Sequence, residues 1–295
     1  MNGKVRQFIS RLIPPSRHAF NLKNRELAAK IGEMDKQLRK LEGSMQDMTA
    51  VTRDMKTLMQ ERFPEERGKS DKVLLNAKEC LWAGIFSSTV NDSAWLKDKS
   101  FSPGRWAVGY QYLYVMFRVL DGFHPSSILE MGLGQSTRMI AQYAQEYAAS
   151  HYIAEHDRDW IDFFENSFGL PASSEISQLD LKETEYLDDD RVLVYDRFKE
   201  TFGNREYDFI SVDGPFGAGA QIYSRIDVLG LIPQCLKKSF VIMIDDYERK
   251  GEQAAADLIR TKLSDSGIGY RTGTYVGEKT AYIIVSEDLK FFTSL

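Results

Sequence analysis

The sequence predicts an α/β domain with a mostly parallel sheet, preceded by a long N-terminal helix. From residue 127 onward, short apolar runs alternate with helical patterns, which is the order of a parallel α/β fold. A heptad repeat of apolar residues precedes this alternation, at residues 27–59. The predicted organisation is a basic segment at 1–19, a coiled coil at 20–63, a linker and helical cap at 64–103 and the α/β domain at 104–295.

Composition limits the compartment and the partners. The chain of 295 residues has no apolar run near the roughly 18 residues that span a membrane, and we expect no secretory signal. Its two cysteines show no motif spacing, which indicates a reducing, cytoplasmic compartment. Residues 1–63 carry 13 Lys/Arg against 7 Asp/Glu, whereas residues 64–295 carry 25 against 36. The acidic body argues against nucleic acid as a partner, and the basic arm suits an anionic surface.

Residues 1–13 predict a short basic amphipathic helix. Its apolar face consists of Val5, Phe8, Ile9, Leu12 and Ile13. Such a helix can lie on an anionic membrane, which predicts peripheral contact with the inner membrane face. A frayed helix, or one that packs on a partner, has the same pattern, so both interpretations stay open.

Residues 20–63 predict a coiled coil. Apolar residues recur in alternating steps of four and three, and charged residues fill most other positions. The repeat comprises Leu27, Ile31, Met34, Leu38, Leu41, Met45 and Met48, continued by Thr52, Met55 and Met59. This pattern favours a homo-oligomer, with a single helix docked on its own domain as the alternative. Phe63 and Pro64, followed by a polar segment, predict that the helix ends there.

The remaining elements follow from periodicity. Helices are predicted at 73–86, 106–120, 136–149, 160–168, 222–235 and 253–264, and strands at 127–130, 151–155, 174–179, 207–212, 240–244, 270–275 and 280–285. Residues 182–206 are polar and acidic, with an apolar patch at 192–195. A short loop at 276–279 joins the last two strands, so this pair is predicted to be antiparallel.

Four of the predicted strands end in acids. These acids are Glu130, Glu155, Asp213 and the pair Asp245 and Asp246. The carboxyl ends of parallel strands share one edge of an open sheet, and ligands bind in the crevice there. We therefore expect these side chains to converge, although more than a hundred residues separate the first from the last.

The first strand leads into a glycine turn and a helix start. Gly132 and Gly134 permit a close approach of the backbone to a ligand. A dinucleotide fingerprint requires a third glycine where Thr137 stands, and Glu130 would face its pyrophosphate. An acid before the turn suits an amino group instead, and Glu155 at the end of the second strand can accept both ribose hydroxyls. An amino acid joined to a ribonucleoside without phosphate describes S-adenosylmethionine.

Four segments resemble motifs of class I S-adenosylmethionine-dependent methyltransferases. They are EMGLGQS at 130–136, YIAEHD at 152–157, YDFISVDGP at 207–215 and VIMIDDY at 241–247. The last segment resembles metal-dependent O-methyltransferases, including those that act on sugars of natural products. The resemblance covers residues 104–287 and implies a Rossmann-like, seven-stranded sheet with an antiparallel last strand.

The resemblance also implies the residues of the cofactor site. The methionine part of the cofactor would meet Glu130, Gly132, Gly134, Ser136 and Thr137. The ribose would be held by Glu155, and the adenine would lie near His156 or Asp157. The relatives' third glycine is replaced by Ser136 in this sequence, a variant that metal-dependent members also have.

A metal site is implied by the same family. Asp213, Asp245 and Asp246 match the ligands of the metal-dependent branch, and three carboxylates suit Mg²⁺ or another divalent cation. The metal would bind two substrate oxygens and lower the pKa of a hydroxyl. Several sugar-modifying relatives have a histidine shortly after the first of these acids, and this sequence has none, so Asp213 is the candidate catalytic base. Alternatively, one carboxylate of the Asp245–Asp246 pair caps the next helix.

These observations predict an S-adenosylmethionine-dependent O-methyltransferase. The expected acceptor is a hydroxyl of a sugar or glycan, such as a bacterial envelope polysaccharide. Methylation of a small phenolic molecule is the second hypothesis. A non-catalytic coiled-coil scaffold with a vestigial methyltransferase domain is the third, and a nicotinamide oxidoreductase is the least favoured.

Overall fold

The computed structural model describes residues 17–217, 219 and 222–295. The segment predicted to contact a membrane, at 1–13, lies outside the described residues, so that contact stays a prediction. The chain divides into two compact units, Met1–Ser70 and Asp71–Leu295. A search of the described helices finds none that is both long enough and apolar enough to cross a bilayer.

Helix α1, Arg17–Val90, accounts for the described part of the first unit. The heptad residues from Leu27 to Met55 are exposed, with the large apolar side chains of the repeat between 56% and 68% accessible. The helix passes through residues 64–71, so the predicted linker conformation is wrong there. Proline removes one helical hydrogen bond, and the helix-forming residues on both sides outweigh that loss.

The second unit begins with the last turns of α1. Phe86 and Val90 at the end of the helix, and Trp95 and Leu96 after it, are buried in the core of the α/β unit. The helical cap predicted before residue 104 is therefore part of the same core as the sheet. Its aromatic residues pack against helix α2, Tyr110–Phe123.

A seven-stranded sheet organises the described part of the second unit, in the order β3-β2-β1-β6-β7-β9-β8. Its strands are β1 Ser127–Met131, β2 Ser150–Glu155, β3 Ser174–Gln178, β6 Tyr207–Val212, β7 Leu236–Ile244, β8 Tyr270–Val276 and β9 Thr280–Ser286. Strand β9 runs opposite to the other six strands of this sheet. The Rossmann-like fold with an antiparallel last strand is confirmed.

Helices cover both faces of the sheet and continue the predicted alternation. They are α3 Gln135–Tyr147, α4 Arg158–Phe168, α5 Phe198–Phe202 and α6 Lys250–Asp265, with short 3₁₀ segments at Ile226–Gly230 and Glu287–Thr293. Alternate residues of β1 point to opposite faces, so Ile128 packs with α2 and α3 while Leu129 joins the core on the other face.

Three parts of the element prediction are wrong. Residues 222–235 form only the 3₁₀ turn, because Gly230 weakens a helix and Pro233 lacks the N–H that a helix would use there. The polar segment after β3 contains a hairpin, β4 Leu181–Tyr186 with β5 Asp189–Tyr195. Helix α2 begins at Tyr110, which leaves Trp106 outside it and 81% exposed.

Candidate active site

The glycine turn after β1 uses its two glycines differently. Gly132 has a φ of +95°, and an added Cβ would lie 3.2 Å from the backbone carbon and oxygen of Asp213. Only glycine fits there without strain, because both the conformation and the neighbouring backbone exclude a side chain. An added Cβ at Gly134 would meet no atom within 4 Å. The space beside Gly134 is therefore open to a ligand.

Glu130 is a buried carboxylate with one oxygen unused. Its side chain is fully buried, and Oε2 lies 3.0 Å from Nε2 of His151, whose Nδ1 lies 3.0 Å from Oγ of Ser174. Among the described residues, Oε1 of Glu130 has no hydrogen-bond partner. A buried polar atom without a partner is costly, so Oε1 is available for a donor from a ligand.

Glu155 fastens the glycine turn to the end of β2. Its Oε2 accepts a hydrogen bond from the backbone N–H of Leu133 at 3.0 Å, and its Oε1 accepts from the N–H groups of His156 and Asp157 at 2.7 and 3.0 Å. Burial opposes ionisation, but these N–H donors and the His156 ring outweigh it and lower the pKa of Glu155. The interaction of the His156 ring with the Glu155 carboxylate raises the pKa of His156, whose Nδ1 lies 2.8 Å from Oε1 of Glu155.

The other predicted cofactor residues lie around the same turn. Ser136 and Thr137 are buried in the first turn of α3, and Oγ1 of Thr137 accepts from the N–H of Gly134 at 2.8 Å. Asp157 caps α4 by accepting from the N–H of Trp160 at 3.1 Å. Sequence reasoning missed Trp160, whose Nε1 donates to the carbonyl of Leu133 at 2.8 Å and so closes the turn from the side of α4.

Together these residues fit the cofactor that the sequence predicts. The unpaired oxygen of Glu130 suits an ammonium group, and the open face of Gly134 leaves room for the ligand. Glu155 is ionised at the end of β2, where an acid can accept ribose hydroxyls. All of these groups lie at the carboxyl edge of the sheet, where α/β folds bind ligands.

The strand-end acids of β6 and β7 also converge, as predicted. Asp213, Asp245 and Asp246 each place one carboxylate oxygen within 4.8 Å of the others. The side chain of Asp213 is 19% exposed, whereas those of Asp245 and Asp246 are buried. Asp213 is therefore the member of this acid cluster that a second substrate can reach.

Three cations of the chain contact the acid cluster: Arg249, whose Nη1 lies 2.9 Å from Oδ2 of Asp246, and two residues from more distant segments, Lys279 and Arg225. Nζ of Lys279 lies 3.0 Å from Oδ2 of Asp245 and 3.0 Å from Oδ1 of Asp246. The Arg225 guanidinium lies 2.8 Å from Oδ2 of Asp246 and 3.2 Å from Oδ1 of Asp213. Sequence reasoning missed both residues, because they lie far from the acids along the chain and belong to no motif. Their contacts distinguish this cluster from an open set of metal ligands.

The charges of the cluster shift its pKa values. Burial first, and then the nearby charge of Asp245, raises the pKa of Asp213, and burial also raises the pKa of Asp245. Burial opposes ionisation of Asp246 as well, but Arg225 and Lys279 outweigh it and lower its pKa. The acids in turn raise the pKa of Lys279, against the effect of its own burial, so its ammonium stays protonated.

The acid cluster does not fit the predicted divalent metal as it stands. A metal shared by Asp245 and Asp246 would lie close to the Lys279 ammonium that already bridges these carboxylates. Two unit charges 4 Å apart interact by about 4 kcal/mol at an effective dielectric constant of 20, and a divalent ion doubles that repulsion. The chain's own cation therefore competes with a metal for the same oxygens.

An exposed aromatic pair includes a residue of the loop that follows Asp213. Trp106 and Phe216 have ring centroids 5.6 Å apart and are 81% and 50% exposed, and Phe216 follows Asp213 by three residues. Two aromatic rings that pack together in solvent are typical of a binding face. The sequence predicted Trp106 within an apolar helix, so this surface was not foreseen.

Comparison with known proteins gives likenesses of fold. No family model and no curated protein matches the chain. A precorrin-6y C5,15-methyltransferase from Geobacter metallireducens is 12% identical over 64% of this chain and 95% of its own, with a TM-score of 0.40. An O-methyltransferase family protein from Burkholderia thailandensis is 11% identical over 77% and 62%, at 0.34. A spermidine synthase from Thermotoga maritima is 14% identical over 55% and 53%, at 0.35. Likeness at this level concerns the fold alone.

Proposed function

We propose that this protein is an S-adenosylmethionine-dependent O-methyltransferase whose acceptor is a hydroxyl of a sugar or glycan. The observation that carries the proposal is the turn at the end of β1. It combines open space beside Gly134 with an unpaired buried oxygen on Glu130 and an ionised Glu155 at the next strand end. A ligand with an ammonium group and a ribose, and without a pyrophosphate, matches that combination.

The donor side binds and orients the cofactor. Oε1 of Glu130 would accept from the ammonium of the amino-acid part, and Glu155 would accept from the ribose hydroxyls. His156 and Asp157 would border the adenine, while Gly134 leaves the turn open. The bound donor supplies an electrophilic methyl group on a sulfonium. Holding that methyl near an acceptor oxygen removes most of the entropic cost of the transfer.

Asp213 is the proton acceptor for the second substrate. Among the three clustered acids it is the most exposed, so an acceptor hydroxyl reaches it first. A raised pKa makes its carboxylate a better base near neutral pH. Asp213 would take the hydroxyl proton, and the oxygen would use the freed electron pair to bond the methyl carbon while the carbon–sulfur bond breaks and its electron pair stays on sulfur, which leaves as a neutral thioether.

The aromatic pair of Trp106 and Phe216 supports a ring-shaped acceptor. Its exposed faces offer a stacking surface for a sugar ring, and Phe216 lies three residues after Asp213 on the same loop. A phenolic ring would stack in the same place, and it is the second candidate for that reason. The divalent metal is not part of this proposal, because Lys279 already bridges two of its implied ligands.

Transfer of a labelled methyl group tests the proposal. The full chain is incubated with methyl-labelled S-adenosylmethionine and with two acceptor panels, saccharides with free hydroxyls and simple phenols. We expect label in the saccharide fraction and none with Gly134→Arg. Label confined to the phenols would show that the acceptor is a phenol and not a saccharide. A protein that does not bind S-adenosylmethionine would overturn the proposed function.

A further inference from the structure

We infer that Lys279 supplies the positive charge that the sequence resemblance assigns to a divalent metal, so that the acid cluster works without one. The statement that the acid cluster acts on an acceptor rests on the proposed function. The statement that Lys279 takes the place of a metal rests on the contacts of Lys279 alone. Nζ of Lys279 is equidistant, at 3.0 Å, from one oxygen of Asp245 and one of Asp246. A bridging metal would take the same place between the two carboxylates.

The position of Lys279 is built into the fold. It lies in the loop between β8 and β9, and β9 is the strand that pairs with β7, at whose end Asp245 and Asp246 stand. The carbonyl of Lys279 accepts from Nε2 of Gln111 at 3.1 Å and from the N–H of Gly277 at 2.8 Å. The backbone is therefore held from two directions, and the ammonium is directed at the cluster.

Arg225 completes the charge balance around the acids. Its guanidinium is 4% exposed, contacts Asp213 and Asp246, and donates to the backbone carbonyl of Asp245 at 3.0 Å. Arg249 also contacts Asp246, at 2.9 Å, and the two arginines approach the buried carboxylate of Glu252 at 3.8 and 3.6 Å, so four acids and three cations leave one net negative charge. That remainder suits a single proton from an acceptor hydroxyl better than a divalent ion, which would make the cluster positive.

Metal binding to the protein tests the inference without any acceptor. Mn²⁺ is titrated into the full chain at neutral pH, with its binding read from the electron spin resonance signal of the free ion. We expect the wild-type protein to bind no Mn²⁺ at the cluster. Lys279→Met removes the ammonium with little change in side-chain length, and we expect this variant to acquire a Mn²⁺ site.

Lys237→Met is the matched control. Lys237 pairs with Asp208 at 2.9 Å outside the acid cluster, so the same change there should create no metal site. Lys279→Arg keeps the charge and should also bind no metal. If Lys279→Met does not fold, the wild-type titration still decides the question. Wild-type binding of Mn²⁺ that Asp245→Asn abolishes would overturn the inference.

Binding of S-adenosylmethionine separates this inference from the proposed function. The same samples are titrated with S-adenosylmethionine in a chelator. Failure of the wild-type protein to bind it would refute the proposed function and leave the metal result standing. Binding together with chelator-sensitive methyl transfer would refute the inference and leave the function standing. Methyl transfer that is insensitive to chelator in the wild type supports both.

A second proposal concerns helix α1. We propose that residues 27–55 pair with the same residues of a second copy in a parallel, in-register coiled coil. The apolar heptad residues of the repeat are all exposed in a single copy, which leaves a continuous apolar stripe in water. Gly32 and Gly43 fall on outer heptad positions, where an added Cβ would meet no atom within 4 Å. The helix-weakening glycines therefore stay out of the seam.

Charge pairing favours the parallel arrangement. With Ile31 and Leu38 at position a of the heptad, Lys30 takes position g and Asp35 the following position e. In a parallel dimer these two positions face each other across the seam, whereas an antiparallel dimer pairs g with g and e with e. Asp35 already accepts from Arg39 within its own helix, so an intermolecular pair would extend an existing charge pair.

Sedimentation of the full chain tests the assembly. We expect a dimer mass for the wild type and a monomer for Leu38→Lys with Leu41→Lys, because both changes place charges in the seam. Ala29→Lys with Ala50→Lys adds the same charges at outer positions and should stay dimeric. Orientation is read from Leu27→Cys in a Cys80→Ser background. Oxidation should cross-link position 27 to itself, and a monomeric wild type, or no cross-link in the dimer, would overturn the proposal.

Discussion

Two regions at the same edge of the sheet carry acidic side chains, but different groups contact the acids in each region. At the ends of β1 and β2, Glu155 is held by backbone N–H groups, and Glu130 keeps one oxygen free. At the ends of β6 and β7, the acids are paired with Lys279, Arg225 and Arg249. The first region is prepared to receive a cationic ligand. The second is already balanced by cations of the chain itself.

Under the proposed function, this difference assigns cofactor binding to the first region and acceptor binding to the second. A buried carboxylate oxygen without a partner is satisfied when a ligand donates a hydrogen bond to it. A carboxylate within a network of cations acts through its most accessible member, here Asp213. Changes in the first region should therefore alter cofactor binding, and changes in the second should alter transfer or acceptor binding while sparing the cofactor.

Gly134→Arg should have the largest effect on the donor side. Its side chain would project into the open space beside the turn, without a change in the fold, since an added Cβ meets no atom there. We expect affinity for S-adenosylmethionine to fall by at least about 100-fold, a loss near 2.7 kcal/mol. Calorimetry measures it, with Gly84→Arg as a control at an equally open glycine of α1. Unchanged affinity would contradict the placement of the cofactor.

Glu155→Gln should weaken cofactor binding less. The amide keeps an oxygen for one N–H group but presents a donor to the others and loses the charge. We expect S-adenosylmethionine affinity to fall by about 10-fold, which corresponds to about 1.4 kcal/mol. Glu146→Gln, at an exposed ion pair on α3, should leave affinity unchanged. Equal losses in the two variants would show that the effect is not local to the turn.

Trp106→Ala should affect only the acceptor side. Removing one face of the exposed aromatic pair is expected to raise KM for the acceptor by about 5-fold, since a stacked ring contributes about 1 kcal/mol. Affinity for S-adenosylmethionine should stay at the wild-type value. Phe291→Ala, at another exposed aromatic residue, should change neither quantity. A loss of cofactor affinity in Trp106→Ala would contradict the separation of the acceptor site from the cofactor site.

The smallest effect is expected from the pair of Glu155 and His156. The pKa of His156 is raised in the folded protein, so its contribution to stability is present below its ordinary pKa and lost as the pH rises through the folded value. Its side chain is 38% exposed, so the contribution is modest. The melting temperature should fall more between about pH 6 and pH 8 in the wild type than in His156→Gln. An equal dependence of melting temperature on pH in the two proteins would contradict an interaction between Glu155 and His156.

The sequence predicted the turn between β1 and α3 well, since the determinants of this turn are local. The strand, the turn with Gly132 and Gly134, and the start of α3 lie within one short segment, and Glu155 ends the next strand. The edge-sharing rule for parallel strands then brought the distant acids together. The fold followed from the same alternation of short apolar runs and amphipathic helices.

The acceptor side was predicted less completely, because its partners come from distant segments. Nothing local marks Arg225 as the partner of Asp246, or Lys279 as the partner of Asp245. Periodicity placed Trp106 in an apolar helix, but the helix begins at Tyr110 and leaves the ring in solvent. The helix prediction for residues 222–235 failed for a local reason, since Gly230 and Pro233 interrupt the segment and only the 3₁₀ turn at Ile226–Gly230 forms.

Calorimetric titration of the full chain with S-adenosylmethionine tests the central claim most directly. The titration is run in the presence of a chelator, with NAD as the comparison ligand. We predict saturable one-to-one binding of S-adenosylmethionine that the chelator does not change, and no heat with NAD. Binding of NAD alone, or no binding of S-adenosylmethionine with or without Mg²⁺, would contradict the account.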